Sequence, residues 1–133
     1  MANKSKAKGT RAETNVVRFL ESYGLGAKRK ALTGSKDEGD VELFDAPNLK
    51  EPMTIEVKAG KQTANPNRTQ LTEWLRQARE EAKNSGQRCI LCVVRYNRQI
   101  KDADVYFQYE DDYGFVRSHM YLDEFAEEMS GRR

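Results

Sequence analysis

The sequence predicts an α/β protein: a mixed sheet of about five strands flanked by helices. Three observations carry this. Short apolar runs of strand length alternate with two longer stretches whose apolar residues recur at helical spacing. The first helical stretch stops at Gly24 and the second at Gly86, as helices commonly do. Finally, the second helix falls between two strand-like runs, the pattern of a right-handed crossover joining parallel neighbours.

The elements follow in order. Residues 1–8 are small, polar and basic, and read as a flexible N-terminal arm ahead of a single domain over 9–133. A first helix is expected from Thr10 to about Tyr23. Val16, Val17 and Leu20 lie three, four and seven residues beyond Glu13, so Glu13 shares their inward face. Ala27–Leu32 reads as a strand carrying basic residues, and Thr33-Gly34-Ser35-Lys36 as a loop. Asp40–Phe44 and Met53–Lys58 read as two further strands, with Pro47-Asn48 and Glu51-Pro52 marking the connection between them. A second helix is expected from about Thr69 to Ser85, with Leu71, Leu75, Ala78 and Ala82 inward. Cys89–Arg95 is the most apolar run and predicts a central strand. Asp104–Tyr109 and Gly114–Ser118 predict two late strands around an acidic turn, and Leu122–Met129 a last helix.

Composition narrows the class. At 133 residues, with 38% hydrophobic and 33% charged, the chain can build one modest core but not two. The net charge of +2 excludes a polycation, but the charges are unevenly placed. Lys4, Lys6, Lys8 and Arg11 crowd one end and Lys28, Arg29 and Lys30 follow the first helix, whereas acids crowd the C-terminal third. This asymmetry suggests a basic face for a polyanion. No run has the length of a membrane span and no signal-peptide segment precedes the domain, so no membrane partner and a cytoplasmic setting (the host cytoplasm if viral) are expected. Cys89 and Cys92 fall on opposite faces of one strand and read as buried free thiols. His119 is the sole histidine and supports no catalytic triad. There is no Walker sequence, so no nucleotide cofactor is expected, and no zinc-ligand spacing.

The chemistry concentrates between Thr33 and Ala59. In Met53–Lys58 the side chains alternate, so Glu56 and Lys58 point into the same space. A hairpin-like return of the preceding strand could bring Asp40 beside Glu56. Two converging carboxylates repel unless a cation or proton lies between them. Mg²⁺ suits that position, because it takes one or two carboxylates plus water and phosphate oxygens. For an isolated acid-x-lysine the alternative is a solvated surface pair. Glu13 likewise has two readings: it could close a capping box with Thr10, or it could serve the same site.

The ordered set Gly9-Thr10-Arg11-Ala12-Glu13, Thr33-Gly34-Ser35, Gly39-Asp40-Val41 and Ile55-Glu56-Val57-Lys58 resembles the PD-(D/E)XK nuclease superfamily, and within it the archaeal-type Holliday-junction resolvases and their phage-encoded relatives. It departs from the pattern in having Gly39, not proline, before Asp40. The resemblance implies a restriction-endonuclease-like fold. It implies Glu13, Asp40 and Glu56 as ligands of Mg²⁺, with Mn²⁺ as a substitute, and Lys58 as the residue that assists the attacking water. It implies 5′-phosphate and 3′-hydroxyl products, branched double-stranded DNA as substrate and a homodimer for paired cuts. It favours the Ser35 loop as a DNA contact, and a glutamine of the second helix, Gln70 or Gln77, as an auxiliary.

Candidate DNA contacts are Lys8, Arg11, Arg29, Lys30, Ser35, Lys36, Lys61 and Arg68, with Arg76 and Arg79 further along the second helix. Contacts of this kind bind phosphates without reading bases. Two other readings stand beside the resolvase: a restriction- or repair-type endonuclease on linear or flapped duplex, and a non-catalytic DNA-binding module of the same fold.

Overall fold

The computed structural model describes the backbone of residues 4–30 and 40–131. Helix α1 (Lys4–Glu21) carries Ala12, Val16 and Leu20 on one face, every four residues, and all three are buried. The helix begins at Lys4 rather than Thr10, so the residues from Lys4 to Lys8, expected in a flexible arm, are helical. Thr10 therefore lies inside the helix and is no N-cap, because a capping residue sits at the helix boundary.

The remaining elements are β1 (Gly26–Arg29), β2 (Asp40–Asp45), β3 (Met53–Lys58), a 3-10 turn (Lys61–Thr63), α2 (Arg68–Ser85), β4 (Arg88–Val93), a second 3-10 turn (Ile100–Asp102), β5 (Asp104–Asp111), β6 (Gly114–Tyr121) and α3 (Leu122–Met129). Helix α2 starts on Asn67, whose side-chain oxygen accepts the Gln70 N–H at 2.8 Å, and ends on Gly86 at φ 73. Only glycine takes that left-handed conformation without a Cβ penalty.

The six strands of the described residues form one mixed sheet in the order β1-β2-β3-β4-β5-β6, as the six strand-like runs of the sequence predict. Strands β5 and β6 outrun their apolar segments because they pair along their whole length, from Asp104↔Tyr121 to Asp111↔Gly114. Strand β4 stops at Val93, short of Arg95. Only β3 and β4 run parallel, with α2 as the connection between them; every other pair is antiparallel. One end of the sheet therefore gathers the ends of β1, β3, β4 and β6 with the starts of β2 and β5.

Helices cover both faces. The larger core combines Val16 and Leu20 of α1, Leu122, Phe125 and Ala126 of α3, and the inward residues Val41, Leu43, Ile55, Val57, Ile90, Cys92 and Val105 of the sheet. The smaller core sets Trp74 and Leu75 of α2 on Leu91 and Val93 of β4. Trp74 is thus a core residue. Each fully buried aliphatic or aromatic side chain contributes about 1.5–3 kcal/mol.

Cys89 and Cys92 are both buried, and neither forms a disulfide. Burial first, and the nearby Asp104 carboxylate second, push the Cys92 thiol up to about 12. In the unfolded chain this thiol ionises nearer its ordinary value, so the stability it protects is complete below about pH 9 and declines as pH rises toward 12. Iodoacetamide at pH 8.5 should leave Cys92 unmodified in the native chain and alkylate it in urea, as read by mass spectrometry. Rapid native labelling would contradict its burial.

Candidate active site

Strand β3 is buried along nearly all its length, yet its two faces do different work. Met53, Ile55 and Val57 enter the larger core. Glu56 pairs in register with Leu91 and Lys58 with Val93, both residues of the core beneath α2, so Thr54, Glu56 and Lys58 lie on the α2 face. Lys58 Nζ stands 3.1 Å from Glu56 Oε1; the Glu56 side chain is 3% exposed and that of Lys58 24%. The two-residue spacing on a strand is what brings them together.

Asp40, the first residue of β2, takes the register position directly opposite Glu56. Glu13 comes from the other side. It is buried on α1, and Arg29 Nε donates to its Oε1 at 3.3 Å. Arg29 closes β1 opposite Val41, the neighbour of Asp40. Glu13, Arg29, Asp40, Glu56 and Lys58 thus belong to one end of the sheet, with Glu13 over Arg29 and Glu56 against Lys58. A buried carboxylate is costly unless a cation or hydrogen bonds satisfy it, and here each of the two buried acids has its cation.

The other expected contacts divide. Lys30 Nζ donates to the buried Thr54 Oγ1 at 3.0 Å. Arg11, Lys61 and Arg68 are exposed, Arg68 as the first residue of α2. Lys8 lies on α1, and Ser35 and Lys36 lie outside the described residues. Arg76, expected at phosphates, is instead braced by Glu73 at 2.7 Å and Glu80 at 2.8 Å. This pairing holds the Glu73 carboxyl below its usual range. Gln77 Nε2 reaches the same Glu73 at 3.5 Å, which ties it to this outer row. Arg79 Nη1 donates to Gln108 Oε1 at 2.6 Å. Gln70 sits in the first turn of α2, just after the loop that follows Lys58.

Among the described residues no three His, Cys, Asp or Glu side chains gather as a metal cluster. The acids that are present nonetheless fit a hard divalent ion. Glu13 and Glu56 are oxygen donors held out of water, with cations already opposed to their charge, and Mg²⁺ favours a small number of such carboxylates.

Sequence reasoning missed a second polar cluster at this end of the sheet. Asp104, at 9% side-chain exposure, accepts from Arg95 Nη1 at 3.0 Å through Oδ2 and lies 2.7 Å from His119 Nε2 through Oδ1. Arg95 Nη2 also donates to the Ala64 carbonyl at 3.0 Å, which ties the loop after β3 to β5. The His119 ring stands 5.1 Å from each of Tyr106 and Tyr121. Burial and the Asp104 charge raise the Tyr106 phenol. The only sequence signal was a lone acid opening an apolar strand.

A mixed six-stranded sheet flanked by three helices, with an acid of β2 opposite the acid of an acid-x-lysine strand end, defines the PD-(D/E)XK nuclease class and its restriction-endonuclease-like fold. Residues 4–127 match the model of the family described as "Phage putative PDDEXK endonuclease", and the chain belongs to that family. Nucleases of this class act on DNA and generally use divalent metal ions. No curated protein matches the chain. No helix among the described residues is long and apolar enough to cross a membrane.

Proposed function

We propose that the chain is a Mg²⁺-dependent endonuclease that cuts branched DNA, with Glu13, Asp40 and Glu56 holding the metal and Lys58 assisting the attacking water. The observation that carries this reading is the register pair Asp40↔Glu56 with the Lys58 ammonium 3.1 Å from Glu56. A bound Mg²⁺ would supply Lewis-acid polarisation of the phosphate and a more acidic water. The residues do the rest. Glu56 fixes the Lys58 ammonium, and Lys58 offers N–H donors to a water or to charge developing on the phosphate. Arg29 sets a positive charge 3.3 Å from the Glu13 carboxylate at the sheet end.

Outside the site, Arg11, Lys61 and Arg68 are free to meet backbone phosphates, joined by Lys8, Ser35 and Lys36 in the same reading. Branched DNA and a symmetric dimer form the finer part of the proposal: a four-way junction is two-fold symmetric, and paired cuts match a two-fold enzyme. Its support is the sequence resemblance to junction resolvases.

The test is incubation of labelled four-way junctions and linear duplex of the same sequence with Mg²⁺, with Mn²⁺ and with chelator. Preferential junction cutting that needs the metal is the expected result. Asp40→Asn should bind the junction and leave it intact. Equal cutting of linear duplex would move the assignment to the restriction or repair type. Junction binding without cutting in either metal would leave a non-catalytic module.

A further inference from the structure

One step inward from Asp40 and Glu56, the same two strands carry a second polar pair, Glu42 opposite Thr54. Thr54 is fully buried, and its hydroxyl is the centre of a chain of hydrogen bonds. Lys30 Nζ donates to Thr54 Oγ1 at 3.0 Å, Thr54 Oγ1 donates to Gln87 Oε1 at 2.8 Å, and Gln87 Nε2 donates to Glu42 Oε2 at 3.1 Å. Glu42 Oε1 also faces Lys28 Nζ at 3.6 Å.

Hydrogen-bond chemistry gives this chain a single direction. An ionised carboxylate only accepts, so Glu42 takes the amide N–H of Gln87 and turns the amide oxygen toward Thr54. That oxygen only accepts, so it takes the one hydroxyl proton of Thr54. The hydroxyl is left with lone pairs alone, and these suit an ammonium, which only donates. Glu42 thereby specifies, through two neutral groups, a place for a cation.

That place borders the candidate active site. Lys30 follows Arg29, whose register partner is Val41, so Lys30 comes level with Asp40. Thr54 precedes Glu56 by two residues on the same face, about 6–7 Å along the strand, and Lys58 follows it by two. Glu56 is thus flanked along β3 by two ammonium positions: Lys58 in direct contact on one side, and Lys30, carried by Thr54, on the other.

We propose that Lys30 is a second ammonium of the active site, held by the Glu42–Gln87–Thr54 chain to take an oxygen of the DNA phosphate at the point of cleavage. Thr54, Gln87 and Glu42 are its positioning residues. This rests on the nuclease reading above.

Single-turnover cleavage by the full chain tests it. Thr54→Val keeps shape and removes the hydroxyl; it should slow cleavage about tenfold, the scale of one lost charged hydrogen bond. Thr54→Ser should restore the rate, Lys30→Ala should be slowed as Thr54→Val is, and the two changes together should be no slower than Lys30→Ala alone. Amine acetylation read by mass spectrometry, without metal or DNA, gives an independent measure: Lys30 should react faster in Thr54→Val than in the wild type, with Lys28 as internal reference. Unimpaired cleavage by Lys30→Ala or Thr54→Val, additive losses, or equal acetylation of Lys30 in both chains overturns this proposal alone. A wild-type chain that cuts no DNA in any divalent metal overturns the nuclease reading instead, and this proposal with it.

Discussion

Lys58→Ala should lower the single-turnover rate of DNA cleavage by a factor of about 10²–10³ while the chain still binds DNA. The reason lies in one distance and two burials. The Lys58 ammonium is 3.1 Å from Glu56 Oε1, and the Glu56 side chain is almost wholly shielded from water. In the proposed mechanism, removing the amine deletes a fixed donor to the charge that develops on the phosphate. It also leaves Glu56 a buried carboxylate without this counter-ion. Breaking a buried pair from one side costs about 3–5 kcal/mol, and the partial exposure of Lys58 puts this case at the lower end.

Activity and stability can be separated. The double change Glu56→Gln with Lys58→Met removes both charges and keeps the bulk. It should recover most of the unfolding free energy in urea and none of the cleavage. A Lys58→Ala chain that cuts at the wild-type rate, or a double variant that regains activity, would end the assignment of Lys58 to the chemistry.

Asp104→Ala should be the most destabilising single change away from the site, by about 3–5 kcal/mol, out of the roughly 5–15 kcal/mol that holds a domain of this size. Asp104 binds two groups at once, Arg95 at 3.0 Å and His119 at 2.7 Å. Arg95 has little to fall back on: its Nε is buried with no hydrogen-bond partner, and Nη2 is already committed to Ala64. Losing the carboxylate leaves a partly buried guanidinium uncompensated and cuts the link by which Arg95 ties Ala64 to β5. Asp104→Asn should cost less, because its amide oxygen still accepts one of the two bonds. His119→Gln should cost less again, since that side chain is 36% exposed and Arg95 keeps its partner. Urea unfolding of the three variants gives the order. An Asp104→Ala chain as stable as the wild type would show that the cluster carries no load.

Much of the site could be read along the chain because its key contact is local. Glu56 and Lys58 are two residues apart on a strand, and strand geometry alone puts them together. Met53–Lys58 and Leu122–Met129 keep the bounds expected of them, since their period and their flanking residues agree. The first helix does not. Thr10-Arg11-Ala12-Glu13 imitates a helix start, but the lysines and alanines before it favour helix too, and the turn continues back to Lys4. Strand β6 reaches Tyr121, well past its apolar part, because β5 supplies a hydrogen-bonding partner at every step.

The order of residues by itself determined the α/β class, the inward placing of Glu13, and the acid and amine at the end of β3, because each follows from a repeat of 2 or 3.6 residues. Only the tertiary structure decided that Asp40 stands level with Glu56, that Arg29 is the counter-ion of Glu13, and that Lys30 rests on Thr54. It alone joined Arg95, Asp104 and His119. These pairings span separate strands and helices, and their partners are chosen by sheet register and burial, which no local period encodes.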